Sequence, residues 1–124
     1  MQNEKSWERK WELSLRFDFY GPLIKENHRK IFEDYIQNDL SLGELSKEYG
    51  MTRQGIYDVV RRTSDKLDQF EEELKLIEKF SLAKEKLADI DQKMRYMEQK
   101  ISDSSLSNEM ERLLDQMKEI IEVM

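Results

Sequence analysis

SLGELSKEYGMTRQGIYDVVRR, residues 41–62, is the stretch whose reading decides the fold. Ser41 stands three residues before Glu44, the S-x-x-E spacing in which the hydroxyl and the carboxylate each satisfy an orphan backbone N–H at a helix start. A short helix therefore begins at Leu42 and runs to Tyr49. Gly50, with no Cβ, accepts the left-handed backbone that stops it. Thr52 is placed to cap a second helix. Two helices so joined cross closely when the crossing positions are apolar, one position is small and the turn residue is permissive. Leu45, Tyr49, Met51, Ile56 and Val59 fill the apolar positions, Ser46 the small one and Gly50 the turn. The segment reads as a helix-turn-helix. The competing explanation is a chance succession of two amphipathic helices.

Upstream, apolar spacing of three and four predicts a first helix from Ser6 to Tyr20, with Trp7, Trp11 and Leu15 in one row and Leu13, Phe17 and Tyr20 beside them. The tryptophans are expected to lie against the long helix that follows Thr52, with a docking patch as the other reading. Gly21-Pro22 ends this helix, because proline disfavours helix in the residue before it. Asn27 is the expected cap of a second helix carrying Ile31, Phe32, Tyr35 and Ile36, which Asn38-Asp39 closes.

Downstream of Thr52 no strong breaker occurs before Ser102, and an unbroken helix to Ile101 would measure about 75 Å. The apolar positions Leu67, Phe70, Leu74 and Ile77 and those from Phe80 through Ala83, Leu87, Ile90, Met94 and Met97 to Ile101 differ by a slip near Phe80, which predicts a break there. After the polar loop Ser102–Ser105, Asn108 and Glu111 can cap a last helix. Met110, Leu113, Met117, Ile120 and Met124 form its stripe, which faces the preceding one as an antiparallel hairpin. The expected architecture is all-α, with six helices. Residues 1–80 hold the N-terminal helix and the helix-turn-helix, and residues 81–124 hold a helical hairpin that serves as a dimerisation region. The return helix spans about 24 Å and cannot also cover Phe70, Leu74 and Ile77. Those residues must meet the first helix or a second chain, and a homodimer is expected.

Composition narrows function. The chain of 124 residues carries a net charge of −6, with 39% charged residues, one proline and four glycines. That balance favours long solvated helices and opposes indiscriminate coating of nucleic acid. Between Thr52 and Lys66, however, Arg53, Arg61, Arg62 and Lys66 outnumber Asp58 and Asp65. Thr52, Arg53, Gln54 and Tyr57 would face base edges in a major groove, Arg53 suiting guanine and Gln54 adenine, while Arg61, Arg62 and Lys66 would sit near phosphates. Gly55 costs the helix about 1 kcal/mol relative to alanine, which suits a close approach to the backbone there. A solvated face on a helix-turn-helix used only for protein contacts is the other reading, on account of Asp58 and the overall acidity.

Without cysteine and with the single histidine His28, the chain offers no thiolate metal site, and no metal is expected. Glu71-Glu72-Glu73 point in different directions on a helix and read as a wet face. No catalytic residue, cofactor site or small-molecule substrate site is predicted, so the chain is not read as an enzyme. No apolar run approaches membrane-spanning length, and the opening MQNEKSWERKWELSLRF lacks a signal-peptide core, so a cytoplasmic protein without membrane insertion is expected.

FDFY at Phe17–Tyr20, the run from Asp39 to Phe80 and the helical tail resemble the YlxM family of small bacterial proteins, most closely in TRQGIYDVVRRT. That family is similar to region four of bacterial sigma factors and is linked to the signal recognition particle pathway. The resemblance implies a DNA-binding or regulatory role, with Thr52, Arg53, Gln54 and Tyr57 at the reading positions. The alternative it implies is an adaptor that contacts the signal recognition particle protein or its RNA without binding DNA. Gly55 stands where alanine is usual, Ile24-Lys25 interrupts the usual leucine-leucine-threonine, and the helix with two tryptophans is an atypical start.

Overall fold

The structure, a computed structural model, describes the backbone of residues 2–123 and the side chains of residues 6–123. Among the described residues the chain is all-α. Its helices are α1 (Gln2–Tyr20), α2 (Glu26–Ile36), α3 (Leu42–Tyr49), α4 (Arg53–Leu74), α5 (Leu76–Glu98) and α6 (Ser104–Val123), with a 3-10 turn at Gly21–Leu23 and no strand. It forms two compact units, Met1–Ile77 and Glu78–Met124.

In the first unit α4 is the spine on which α1, α2 and α3 all pack. Leu13, Phe17 and Tyr20 of α1, Phe32 of α2, Leu45 of α3 and Ile56 and Leu67 of α4 are buried together. The Phe17 and Phe32 rings lie 5.4 Å apart. Asp68 of α4 clasps α1 from outside the core, accepting from Arg9 at 2.5 Å and from Arg16. The row containing Leu13, Phe17 and Tyr20 wins the contact with α4, and Trp7 and Trp11 lie about 140° around α1 from it. Trp7 and Trp11 are consequently exposed, not packed against the long helix.

Two local expectations are corrected here. Helix α2 is entered from Lys25, whose side chain makes no capping bond. Asn27 lies inside the first turn and accepts from the His28 N–H at 3.0 Å. Burial of Ile24 after the 3-10 turn fixes where the chain enters α2, ahead of the better capping residue.

The break expected near Phe80 falls at Lys75, a non-glycine residue in the left-handed region with φ 53°. A polar knot holds it. The Tyr20 hydroxyl donates to Glu71 Oε1 at 2.5 Å and accepts the Leu76 N–H at 3.2 Å, while the same Glu71 oxygen accepts the Ile77 N–H at 3.1 Å. Glu71 thus caps the start of α5 and is no wet-face residue, unlike its exposed neighbours Glu72 and Glu73. Burial, then the hydrogen bond to Glu71, pushes the Tyr20 phenol pKa upward. Phe70 finds its partner in Tyr20, with ring centroids 5.7 Å apart, and Ile77 packs on the same core, whereas Leu74 is exposed.

In the second unit α5 and α6 are joined through residues 99–103. The Ser107 hydroxyl donates to Glu98 at 3.4 Å across the bend. Leu114 is fully buried; Met110, Met117 and Ile121 are half-buried beside it, as are Ala83, Leu87 and Met94 on α5. The expected stripe is therefore displaced by one residue at two places: Leu114 and Ile121 face inward, whereas Leu113 and Ile120 are exposed. Met124 lies outside the described residues. The spacings 110-113-117-120 and 110-114-117-121 are both heptad-compatible, and packing selects the second. No described helix is long and apolar enough to cross a membrane.

Candidate nucleic-acid interface

The crossing of α3 and α4 is locked by local chemistry. Ser41 accepts the Glu44 N–H and the Glu44 carboxylate accepts the Ser41 N–H, each at 3.1 Å, so the capping box is complete. Gly50 ends α3 with φ 63°, a conformation strained for any residue with a Cβ. Ser46 does more than fit the crossing. Its hydroxyl donates to the Met51 carbonyl while the Met51 N–H donates to the Ser46 carbonyl at 3.1 Å, a two-way latch across the turn that alanine could not make. Leu45, Ile56 and Val59 are buried under the turn, and Tyr49 and Met51 are half-buried at its edge. The Tyr49 hydroxyl donates to Asp34 of α2 at 2.5 Å, and chiefly that bond, with burial, pushes its pKa up to about 12.

Thr52 caps α4, accepting the Gly55 N–H at 3.0 Å. A Cβ at position 55 would stand 3.1 Å from the Thr52 hydroxyl oxygen. An added side chain would therefore press on the cap by a few tenths of an ångström.

The structure places the remaining sequence-predicted residues in three groups around α4. Gln54, Asp58, Arg61 and Asp65 form the outermost line, with Arg53 and Tyr57 on one flank and Arg62 and Lys66 on the other. All but the half-buried Asp58 are exposed. Asp58 is engaged by the Gln54 amide at 3.1 Å, which offsets part of its charge on this face. Among the described residues Arg53, Arg61, Arg62 and Lys66 form no ion pair, whereas Arg9, Lys10 and Arg16 of α1 are all paired.

One contribution was not read from the sequence. His28, considered there only as a metal ligand, lies in the first turn of α2 beside the second flank of α4. Partial burial lowers its pKa, helped by the nearby charges of Lys25, Lys66 and Arg62. Cations from two elements therefore converge there. Their separation in sequence, residues 25–28 against 62–66, hid the cluster, since only the packing of α2 on α4 assembles it. Among the described residues no His, Asp or Glu group is arranged to hold a metal ion.

The family described as "Putative helix-turn-helix protein, YlxM / p13 like" matches residues 7–109. A UPF0122 protein of Bacillus pumilus is 34% identical over 113 residues, covering 91% of this chain and 96% of the relative. One from Acetivibrio thermocellus is 36% identical over 112 residues, 90% of this chain and 92% of the relative. A third, from Shouchella clausii, is 41% identical over 78 residues, 63% and 72% of the two chains. With a family match across most of its length and a capped helix-turn-helix crossing, this chain belongs to the YlxM/p13-like helix-turn-helix family.

Proposed function

We propose that the protein is a cytoplasmic DNA-binding regulator that lays the start of α4 in a major groove and acts as a homodimer. One observation carries this reading. The cations of α4 stand exposed with no carboxylate partner among the described residues, and the packing of α2 brings Lys25 and His28 to the same flank as Arg62 and Lys66. DNA would meet these groups with no ion pair to break. In this reading Arg53, Gln54 and Tyr57 contact bases, Thr52 positions them as the cap, and Arg61, Arg62 and Lys66 contact phosphates. Selection from random DNA pools at low salt tests it. Enrichment of a defined site is expected, and it is lost when Arg53 and Gln54 are changed to alanine. Arg62→Ala and Lys66→Ala should instead weaken all sequences alike and reduce the salt slope by about one per phosphate contact removed. No enrichment, or enrichment indifferent to Arg53 and Gln54, overturns the proposal.

A second reading is favoured by Asp58 and Asp65 on the outermost line of α4 and by the net charge of −6. Mixed charge suits a protein surface or a folded RNA better than duplex phosphates. In that reading the protein is an adaptor in the signal recognition particle pathway, docking on a particle GTPase or its RNA. Co-sedimentation with the purified particle protein and with its RNA separates the two readings.

A further inference from the structure

The second unit leaves half of an apolar arc uncovered. On α6 the apolar positions from Leu106 to Ile121 span about 120° of the helix circumference, and α5 covers only the side bearing Leu114. The other side carries Leu106, Leu113 and Ile120, seven residues apart and 56%, 50% and 51% exposed. On α5 the corresponding flank carries Ile90 and Met97, also seven apart, 43% and 56% exposed. Each stripe lies about 80° to the N-terminal sense of its helix's inward row. Because the two helices run in opposite directions, equal rotations of this kind bring both stripes to the same side of the hairpin. The opposite side holds Lys84, Gln92, Glu111 and Lys118, all exposed. One side of the hairpin is thus apolar and exposed, and the other is polar.

We infer that a second copy of this chain covers this face, pairing α5 of one copy with α6 of the other in antiparallel register. This deepens the homodimer proposed above and rests on it. Two twofold arrangements can bring the faces together, one setting α5 on the partner's α6 and the other α5 on the partner's α5. Charge chooses between them. The outer edge of the α5 stripe is lined by Lys79, Lys86 and Lys93, and the outer edge of the α6 stripe by Glu109 and Gln116. Setting α5 on α5 would oppose lysine edge to lysine edge, whereas setting α5 on α6 places the lysines along an edge that carries Glu109 and the uncharged Gln116. Lys93, which also holds Asp89 at 3.0 Å, lies within about one helical turn of Glu109 in that arrangement, given the register set by Glu98 and Ser107.

Sedimentation equilibrium of the full chain at micromolar concentration tests the inference. A particle of twice the chain mass is expected, with Leu113→Lys weakening self-association at least about tenfold while the helical circular dichroism is retained. Lys93→Glu and Glu109→Lys should each weaken it, and the two together should restore it, a readout that does not depend on how Leu113→Lys folds. A wild-type monomer would overturn both the homodimer and this face. A wild-type dimer indifferent to these changes would overturn the face alone, and tightening by Lys93→Glu would overturn the α5-on-α6 pairing in favour of α5 on α5.

Discussion

The two units are built from the same helix-forming residues, yet they use them differently. The first buries aromatic and aliphatic side chains of α4 and of the three helices around it; Tyr20, Phe32, Leu45, Ile56 and Leu67 are almost wholly removed from solvent. Among the described residues of the second, only Leu114 reaches that state. A helix surrounded by three neighbours can close its apolar arc, and a helix with one neighbour cannot. The difference teaches that a helix-turn-helix unit of this size completes its own core, while a two-helix hairpin presents half of one.

The contrast can be broken most directly by truncating one core residue in each unit. Phe32→Ala should destabilise the first unit by about 3–5 kcal/mol, and Leu114→Ala should cost the second about 2–5 kcal/mol. Amide exchange read segment by segment should show each loss confined to its own unit. Protection lost throughout α1–α4 in the Leu114 variant would abolish the distinction.

A smaller effect is expected at the knot around Lys75. Tyr20→Phe deprives Glu71 of a donor and the Leu76 N–H of its acceptor, and should destabilise by about 1–3 kcal/mol. Leu76 and Ile77 should then exchange faster than residues in the middle of α4, and uniform exchange across both would count against the knot.

The first unit should also respond to alkali. Tyr49 is held neutral in the fold, with a pKa raised from 10.0 to about 12. Its raised pKa contributes stability fully below pH 10, and that contribution is lost as the pH climbs from 10 through 12. Tyr49→Phe should flatten this alkaline limb in a pH series of urea melts.

The smallest change is expected at the two tryptophans. Replacing Trp7 and Trp11 together by alanine should alter stability by less than about 1 kcal/mol, since neither is buried. A larger loss, measured by thermal melting, would mean that their face of α1 contributes to the core after all.

How far this was legible in sequence follows the same division. The capping box, Gly50 and the Thr52 cap are local signals in which each residue's chemistry is satisfied within a few positions, so the turn could be read directly. The break at Lys75 was placed five residues late because what fixes it is Tyr20, far upstream, through Glu71. The choice between Leu113 and Leu114 was open because two adjacent apolar rows satisfy one repeat, and only packing decides. The exposure of Arg53, Gln54, Tyr57 and Arg61 was evident from the phase of α4, whereas the convergence of His28 and Lys25 on Arg62 and Lys66 required the fold.

The contact between position 55 and the Thr52 cap carries an evolutionary consequence. Alanine would give α4 about 1 kcal/mol of helix propensity, and loss of the threonine cap costs about the same. With 3.1 Å between the added carbon and the cap oxygen, the cap must give by a few tenths of an ångström, which offsets part of that gain. Glycine can therefore persist here under weak selection.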